Sequence, residues 1–434
     1  MMPAKKINSV NISQSVSVSI GNAGVLVGEL TFNKQGAREN SSFVYDSTWL
    51  ADPSGFEISP DIDLTPEHHR HRAITPQDSV FHLAFADTAP DAWGRRVIAR
   101  DHAKRRAIEN LPPLTEMDYL LAVDDFSRMG ALRLMDANGK YLRSTGEGRR
   151  HTPPLVDLQL MYDASRAVEQ NKESEADLRY LQGKGTSLGG LRPKCTVIDK
   201  NGRLSLGKFP SVNDECNVTR AEVLALHLAK LAGIDAAKSR IEDLTKVPVA
   251  IIERFDRTED DRRIPYLSAA SMLQASRNEE RSYIEIADII RARCVDPDSD
   301  TKQLWRRLVF NLLITNVDDH LHNLGFLHVE NTMWRLAPAF DINPFPDKER
   351  ESKTWLSEDS GPITDITDLF DKASYFSVNQ YQAKAVISEV VSAVSRWKSI
   401  AASQTIGMTQ SEIRAFVPAF EHDQLTAAIE LVNG

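Results

Sequence analysis

The string NVDDHLHNLGFLH places Asp318 five positions before Asn323, directly after the apolar, helix-spaced run LWRRLVFNLLITN. A carboxylate and an amide at that spacing are the parts of a phosphoryl-transfer loop. The Asp accepts or orients the substrate hydroxyl, and the Asn binds a magnesium ion. A second carboxylate, Asp341 in WRLAPAFDINP, follows two short runs, Gly325 to His328 and Met333 to Pro338, that read as a hairpin. That is where a kinase-type fold sets the Asp that bridges magnesium to the β- and γ-phosphates. A lone D-x-x-x-x-N says little; the ordered set of Asp, Asn, hairpin and Asp says much more.

Upstream, TSLGGLRPK (Thr186 to Lys194) is a glycine turn entering a strand. Successive backbone N–H groups in such a turn can cradle phosphate, although Gly189 and Gly190 alone also read as a plain β-turn. The strand LSLGKFP presents Lys208, and the helix RAEVLALHLAKLAGI presents Glu222. Kinases hold such a lysine over the α- and β-phosphates with a helix carboxylate, whereas an isolated pair of this kind is usually a surface ion pair. In VPVAIIERFDR a strand runs into Glu253, Arg254 and Phe255, a hinge suited to an adenine edge, or simply a strand leaving a sheet.

The elements that must position these groups can be read in the same way. Residues 16–32, VSVSIGNAGVLVGELTF, alternate around Gly21, Asn22 and Gly24 as a hairpin does. From Phe81, helical spacing follows, with Pro90 and Asp91 near a helix start and Trp93 on the apolar side. The Gly-, Arg-, Ser- and Pro-rich stretch NGKYLRSTGEGRRHTPP reads as a connector. Beyond it come a helix at about 155–173, strands near 196–208, a helix at about 219–231 and a strand at 247–254. After Arg257 the 3.6-residue period dominates. The expected fold class is α+β: a β-rich accessory unit (1–150), a sheet lobe with the glycine loop and Lys208 (151–257), and an all-helical C-terminal lobe, apart from the short hairpin, with the catalytic and cation-binding residues (258–434).

With its motifs in hand, the chain resembles the HipA toxin kinases. SLGGLRPK, LGKFP, the helix with Glu222, IIERFDR, NVDDHLHN and LAPAFD occur in that family's order and spacing. FADTAPDAWGRR and LLAVDDFSRMGAL extend the likeness over most of residues 16 to about 345. The resemblance implies a two-lobed serine/threonine protein kinase using ATP and Mg²⁺, with Lys208 on the phosphates and Glu253 and Phe255 lining the adenine site. Asp318 would be the base, and Asn323 and Asp341 the magnesium ligands. Ser187 matches a position of autophosphorylation that expels the loop, and it equally reads as a turn hydroxyl. The resemblance further implies a HipB-like helix-turn-helix antitoxin, operator DNA contacted only within that complex, and a substrate such as an aminoacyl-tRNA synthetase, with growth arrest as the outcome. One departure stands out: RIPYLSAASMLQA lacks the acidic residue expected after this strand, a change that bears on helix capping rather than catalysis.

Composition narrows the alternatives. The 434 residues carry a formal charge of −9, against a surface built wholly for nucleic acid. Cys195, Cys216 and Cys294 have neither disulfide nor zinc spacing, which fits a reducing cytoplasm. No run approaches a bilayer span, so no membrane is expected. Arg95, Arg96, Arg100, Lys104, Arg105 and Arg106 read as a solvated helix face, with contact to nucleic acid or to an acidic partner as the alternative. His68, His69 and His71 form a short tract that could hold a metal adventitiously. Two other classes stay open: a metal-dependent hydrolase built on Asp318, Asp319, His320 and His322, and a kinase-like scaffold without transfer activity.

Overall fold

The computed structural model describes residues 11–143, 157–181, 190, 192–199, 201–245, 247–276 and 279–433. Ser187 and Gly189 of the expected phosphate loop, and most of the expected connector, lie outside the described residues. The alternating N-terminal run forms β1 (Asn11–Ile20) and β2 (Val25–Gln35), joined by a turn in which Gly21 and Gly24 have φ of +71° and +67°. With β3 (Arg38–Tyr45), β4 (His69–His71) and β5 (Leu132–Met135) they make a sheet of order β4-β3-β2-β1-β5. Period-two alternation buries Val16, Val18, Leu30, Phe32 and Phe43.

The helix Ala92–Glu109 begins where Pro90 and Asp91 indicate. The Asp91 side chain accepts a hydrogen bond from the Gly94 N–H at 2.7 Å, an N-cap that leaves Trp93 and Val97 buried. Its basic residues are a solvated face only in part: Arg96, Arg105 and Arg106 are exposed, while the other three reach groups of the same chain. Arg95 makes a two-pronged pair with Glu116 (2.9 and 2.6 Å), Arg100 pairs with Glu173 at 2.9 Å, and Lys104 donates to the Glu173 carbonyl. For Arg95, Arg100 and Lys104 the partner is supplied by the chain itself.

A second antiparallel sheet, of order β6-β7-β9-β8, is built from β6 (Lys194–Ile198), β7 (Leu204–Lys208), β8 (Ser239–Leu244) and β9 (Val247–Glu253). Its two faces are buried against different partners. Cys195, Val197, Val249 and Ile251 join Trp93, Leu158 and Met161 in one core, while Leu206, Ala250 and Ile252 join the main core with the helix Val218–Leu231. Lys208 lies two residues after Leu206, so the pleat turns it to the same side, toward the C-terminal lobe.

The C-terminal lobe is not all-helical: Tyr266–Ser268 adds a third strand to the hairpin, giving a small sheet of order β10-β11-β12 from Tyr266–Ser268, Gly325–Glu330 and Met333–Leu336. The strands β11 and β12 are the hairpin expected between Asn323 and Asp341, with Phe326 opposite Leu336. Beneath it runs the helix Pro297–Leu313, capped by Asp296 with Pro297 at its first turn and with Leu304, Trp305, Leu308 and Phe310 buried. Two backbone hydrogen bonds, Ala339 N–H to Asp235 O (2.8 Å) and Ala237 N–H to Ala339 O (2.9 Å), tie the segment before Asp341 to the sheet lobe. The start of the turn after β10 is met by an acid from far away in the chain. Asp87 accepts from Ser268 N–H (2.7 Å), Ser268 Oγ (2.9 Å) and Ser271 Oγ (2.7 Å), at the start of the turn Ala269–Met272.

Candidate active site

Lys208 is the centre of the site. At the end of β7 it is buried, and its Nζ donates to Glu222 Oε1 at 2.5 Å and to Asp341 Oδ1 at 2.7 Å. Glu222 lies on the buried side of its helix, a place no carboxylate takes without a partner. Burial opposes charge on Lys208, but Asp341 and Glu222 outweigh it and raise the ammonium's pKa. Burial also disfavours the Asp341 anion, yet the Lys208 charge holds its pKa at about 2. Glu222, less accessible than Asp341, is pushed upward by burial. The Asp341 backbone has φ of +53°, in the left-handed region that a non-glycine residue rarely occupies. Asn343 Nδ2 donates to the same Asp341 oxygen at 3.0 Å, and Asn343 N–H donates to Asn316 Oδ1 at 3.2 Å. The carboxylate of this residue, whose backbone is strained, is therefore held at one oxygen by both Lys208 and Asn343.

Asp318 and Asn323 are local neighbours. The Asn323 side-chain N–H donates to the Asp318 carbonyl at 2.7 Å, which orients the amide. Asp318 pairs through Oδ1 with the Lys353 ammonium, a half-exposed group that sequence reasoning missed. Lys353 is positioned by Asp319. That buried carboxylate accepts from Lys353 N–H (2.7 Å) and Tyr283 Oη (2.6 Å), while Thr354 Oγ1 donates to the Asp319 carbonyl (2.7 Å). Asp319 is thus spent on structure, and His322 is exposed. Among the described residues, Asp318, Asp319, His320 and His322 do not gather around one point, so the hydrolase arrangement is not assembled.

Between β7, β9 and the Asp341 segment opens a cleft of about 410 Å³, lined by Met129, Leu206, Ile252, Glu253, Phe255 and Phe340, with Lys208 and Asp341 at its polar end. Phe255 packs against Phe340 at 5.2 Å between ring centroids. The Glu253 carboxylate is engaged by Arg203, and Gly190 is exposed with φ of +111°. Met129 comes from the accessory unit, and its contribution to this cleft was not legible in the sequence. It is brought in by a buried charge network. Asp256 accepts from Arg254 Nη2 (2.5 Å), Arg257 Nη1 (2.7 Å) and Gly130 N–H (2.7 Å), while Arg254 Nη1 donates to Ser127 O (2.9 Å) and Arg257 Nη2 to Arg128 O (3.0 Å). The only sequence signal was the DDFSRMGAL segment itself, whose partner is more than a hundred residues away.

The two-lobed arrangement, with a cleft closed by a strand lysine, a helix glutamate and an aspartate after a hairpin, defines a kinase-like fold. Residues 18–135 match the HipA N-terminal domain and residues 186–397 the HipA-like C-terminal domain; the chain belongs to the HipA family. A Haemophilus influenzae protein named "Putative kinase" is 24% identical over 192 residues, 38% of this chain and 54% of that protein. The chain thus spans about half the length of that relative. "Putative kinase Y4mE" of Sinorhizobium fredii is 20% identical over 338 residues, 74% of this chain and 75% of its own. Among solved structures, the chain shares its fold with a protein from a Shewanella oneidensis complex of HipA, HipB and operator DNA, at a TM-score of 0.66 and 16% identity over 96% of each chain. No described helix is long and apolar enough to cross a membrane.

Proposed function

We propose that this chain is a HipA-type protein kinase that transfers the γ-phosphoryl group of ATP to a serine or threonine hydroxyl of a protein. The observation that carries the reading is the joining of Lys208 to both Glu222 and Asp341 across the two lobes, at the end of an apolar cleft. Adenine fits between Leu206, Ile252, Met129 and Phe340, with the hinge at Glu253 to Phe255 along its edge. Lys208 then meets the phosphates, and Glu222 keeps its ammonium in place. Asp318 orients the acceptor hydroxyl. The Lys353 ammonium on Asp318 stands where negative charge grows during transfer.

Asp341 and Asn323 offer hard oxygen donors of the kind Mg²⁺ prefers, and both line one cavity with Asn316. Bound there, the ion would neutralise charge on the transferring phosphates. Ser187 is the proposed site of self-phosphorylation. Family membership supports a HipB-like antitoxin as partner, operator DNA met only in that complex, a cytoplasmic setting, and a translation component such as an aminoacyl-tRNA synthetase as substrate.

The test is incubation of the purified protein and its Asp318→Ala variant with Mg²⁺ and labelled ATP, followed by mass spectrometry of the protein. Phosphate on Ser187 in the parent alone is the expected result. Absence of both transfer and ATP binding in the parent would overturn the reading.

A further inference from the structure

Away from the cleft, the accessory unit gathers three side chains with metal-ligand chemistry. Asp61 lies in the loop before β4, His71 ends β4, and His82 precedes the short turn Leu83–Ala86. Their donor atoms all lie within 4.8 Å of one another. Only His71 belongs to the histidine tract of the sequence; His68 is exposed, and the other two ligands come from ten residues upstream and eleven downstream.

The hydrogen bonding around His82 sets a condition on what sits between these groups. Its Nε2 lies 3.2 Å from the His69 carbonyl, which can only accept, so Nε2 carries a hydrogen. In the neutral ring the lone pair is then on Nδ1, which faces Asp61 Oδ2 at 2.7 Å. Two lone pairs at that distance require a cation between them, either a proton or a metal ion. A proton would need only those two groups. The third, His71 Nδ1, faces the same Asp61 oxygen at 4.0 Å, and its ring centroid stands 4.9 Å from that of His82.

The surroundings are those that orient metal ligands. Ser59 Oγ donates to the other oxygen of Asp61, the His69 carbonyl holds His82, and the Ser79 backbone is a hydrogen-bond partner of His71.

We propose that Asp61, His71 and His82 form a binding site for a borderline divalent transition metal, Zn²⁺ in the first instance, with water completing a tetrahedron from the partly exposed side. Two imidazoles and a carboxylate select such an ion over Mg²⁺. Metal–ligand bonds of about 2.0–2.2 Å place tetrahedral donors roughly 3.3 Å apart, between the 2.7 and 4.0 Å seen here, so side-chain shifts of under about 1 Å close the site. The ion would pin the loop at Asp61, β4 and the His82 segment together. That junction touches the C-terminal lobe next to it: Gln274 Nε2 donates to the Pro60 carbonyl at 3.0 Å. The site is independent of the cleft and of the activity proposed there.

The experiment uses the full chain stripped of metal and kept in excess Mg²⁺, which occupies the hard-donor site. Zn²⁺ is titrated in competition with a chromophoric chelator, and Co²⁺ is titrated by its visible absorption, in the parent and in the variants Asp61→Asn, His71→Ala, His71→Gln, His68→Ala and Asp341→Asn. One equivalent of Zn²⁺ in the parent is expected, together with an intense tetrahedral Co²⁺ band. His68→Ala and Asp341→Asn should retain both. Asp61→Asn and the His71 variants, with circular dichroism unchanged, should bind at least tenfold more weakly. Absence of stoichiometric binding in the parent overturns the proposal, as does parental affinity in Asp61→Asn together with either folded His71 variant.

Discussion

Asp256→Ala tests whether the accessory unit is held to the hinge by charge. The Asp256 carboxylate is fully buried, meets the Arg254 and Arg257 guanidinium groups at 2.5 and 2.7 Å, and accepts the Gly130 N–H at 2.7 Å. Burial penalises this anion, but the two arginines outweigh it and hold its pKa well below the usual carboxylate range. Removing it leaves two guanidinium groups facing each other in the interior, a loss of about 3–5 kcal/mol for a broken buried pair. At roughly 1.4 kcal/mol per decade, that predicts amide exchange at residues 127–130 and 254–257 faster by about 10²-fold or more, with denaturant unfolding at lower concentration. Hydrogen exchange read by mass spectrometry on parent and variant gives the local figure. Exchange within a factor of about five of the parent at both segments would refute the argument, because the network would then be contributing almost nothing.

Other outcomes follow from the same geometry. Lys353→Met should lower the rate of phosphoryl transfer about 10²-fold, with ATP affinity nearly unchanged, in single-turnover assays, because the ammonium stands at Asp318 rather than in the adenine cleft. Met129→Ala removes an apolar wall of that cleft; nucleotide affinity by calorimetry should fall about tenfold, from the roughly 1–2 kcal/mol of lost contact. For Asp341, a folded pKa of about 2 against an ordinary value of 3.8 means that its ionised form stabilises the fold above pH 4, and that this contribution is lost as pH falls through 2. The stability difference between the parent and Asp341→Asn, followed by denaturant unfolding, should be level above pH 4 and shrink toward pH 2.

The parts of this protein legible from sequence are those that local geometry encodes. Alternation around Gly21 and Gly24 specifies a hairpin, since period two and positive-φ turns are properties of a few adjacent residues. The Asp318 to Asn323 spacing is likewise local, and one hydrogen bond of 2.7 Å closes it. The hairpin that precedes Asp341 and the strand that carries Lys208 were readable for the same reason. Where the chain returns to itself, sequence is silent. Lys208 and Asp341 are 133 positions apart, and Asp87 reaches Ser268 across 181. The pairing of Arg95 and Arg100 on the basic helix 92–109 was not readable because Glu116 and Glu173 lie outside that helix's own periodicity.

By itself, then, the sequence determined which chemical groups exist, their order, and the strands and helices that carry them, because those follow from residue type and short-range spacing. Tertiary structure alone decided that Lys208 joins two carboxylates from different elements, that Met129 enters the cleft of another lobe, and that Asp61, His71 and His82 converge. These are consequences of packing two faces of one sheet against two cores, and of burying charges only where distant partners satisfy them.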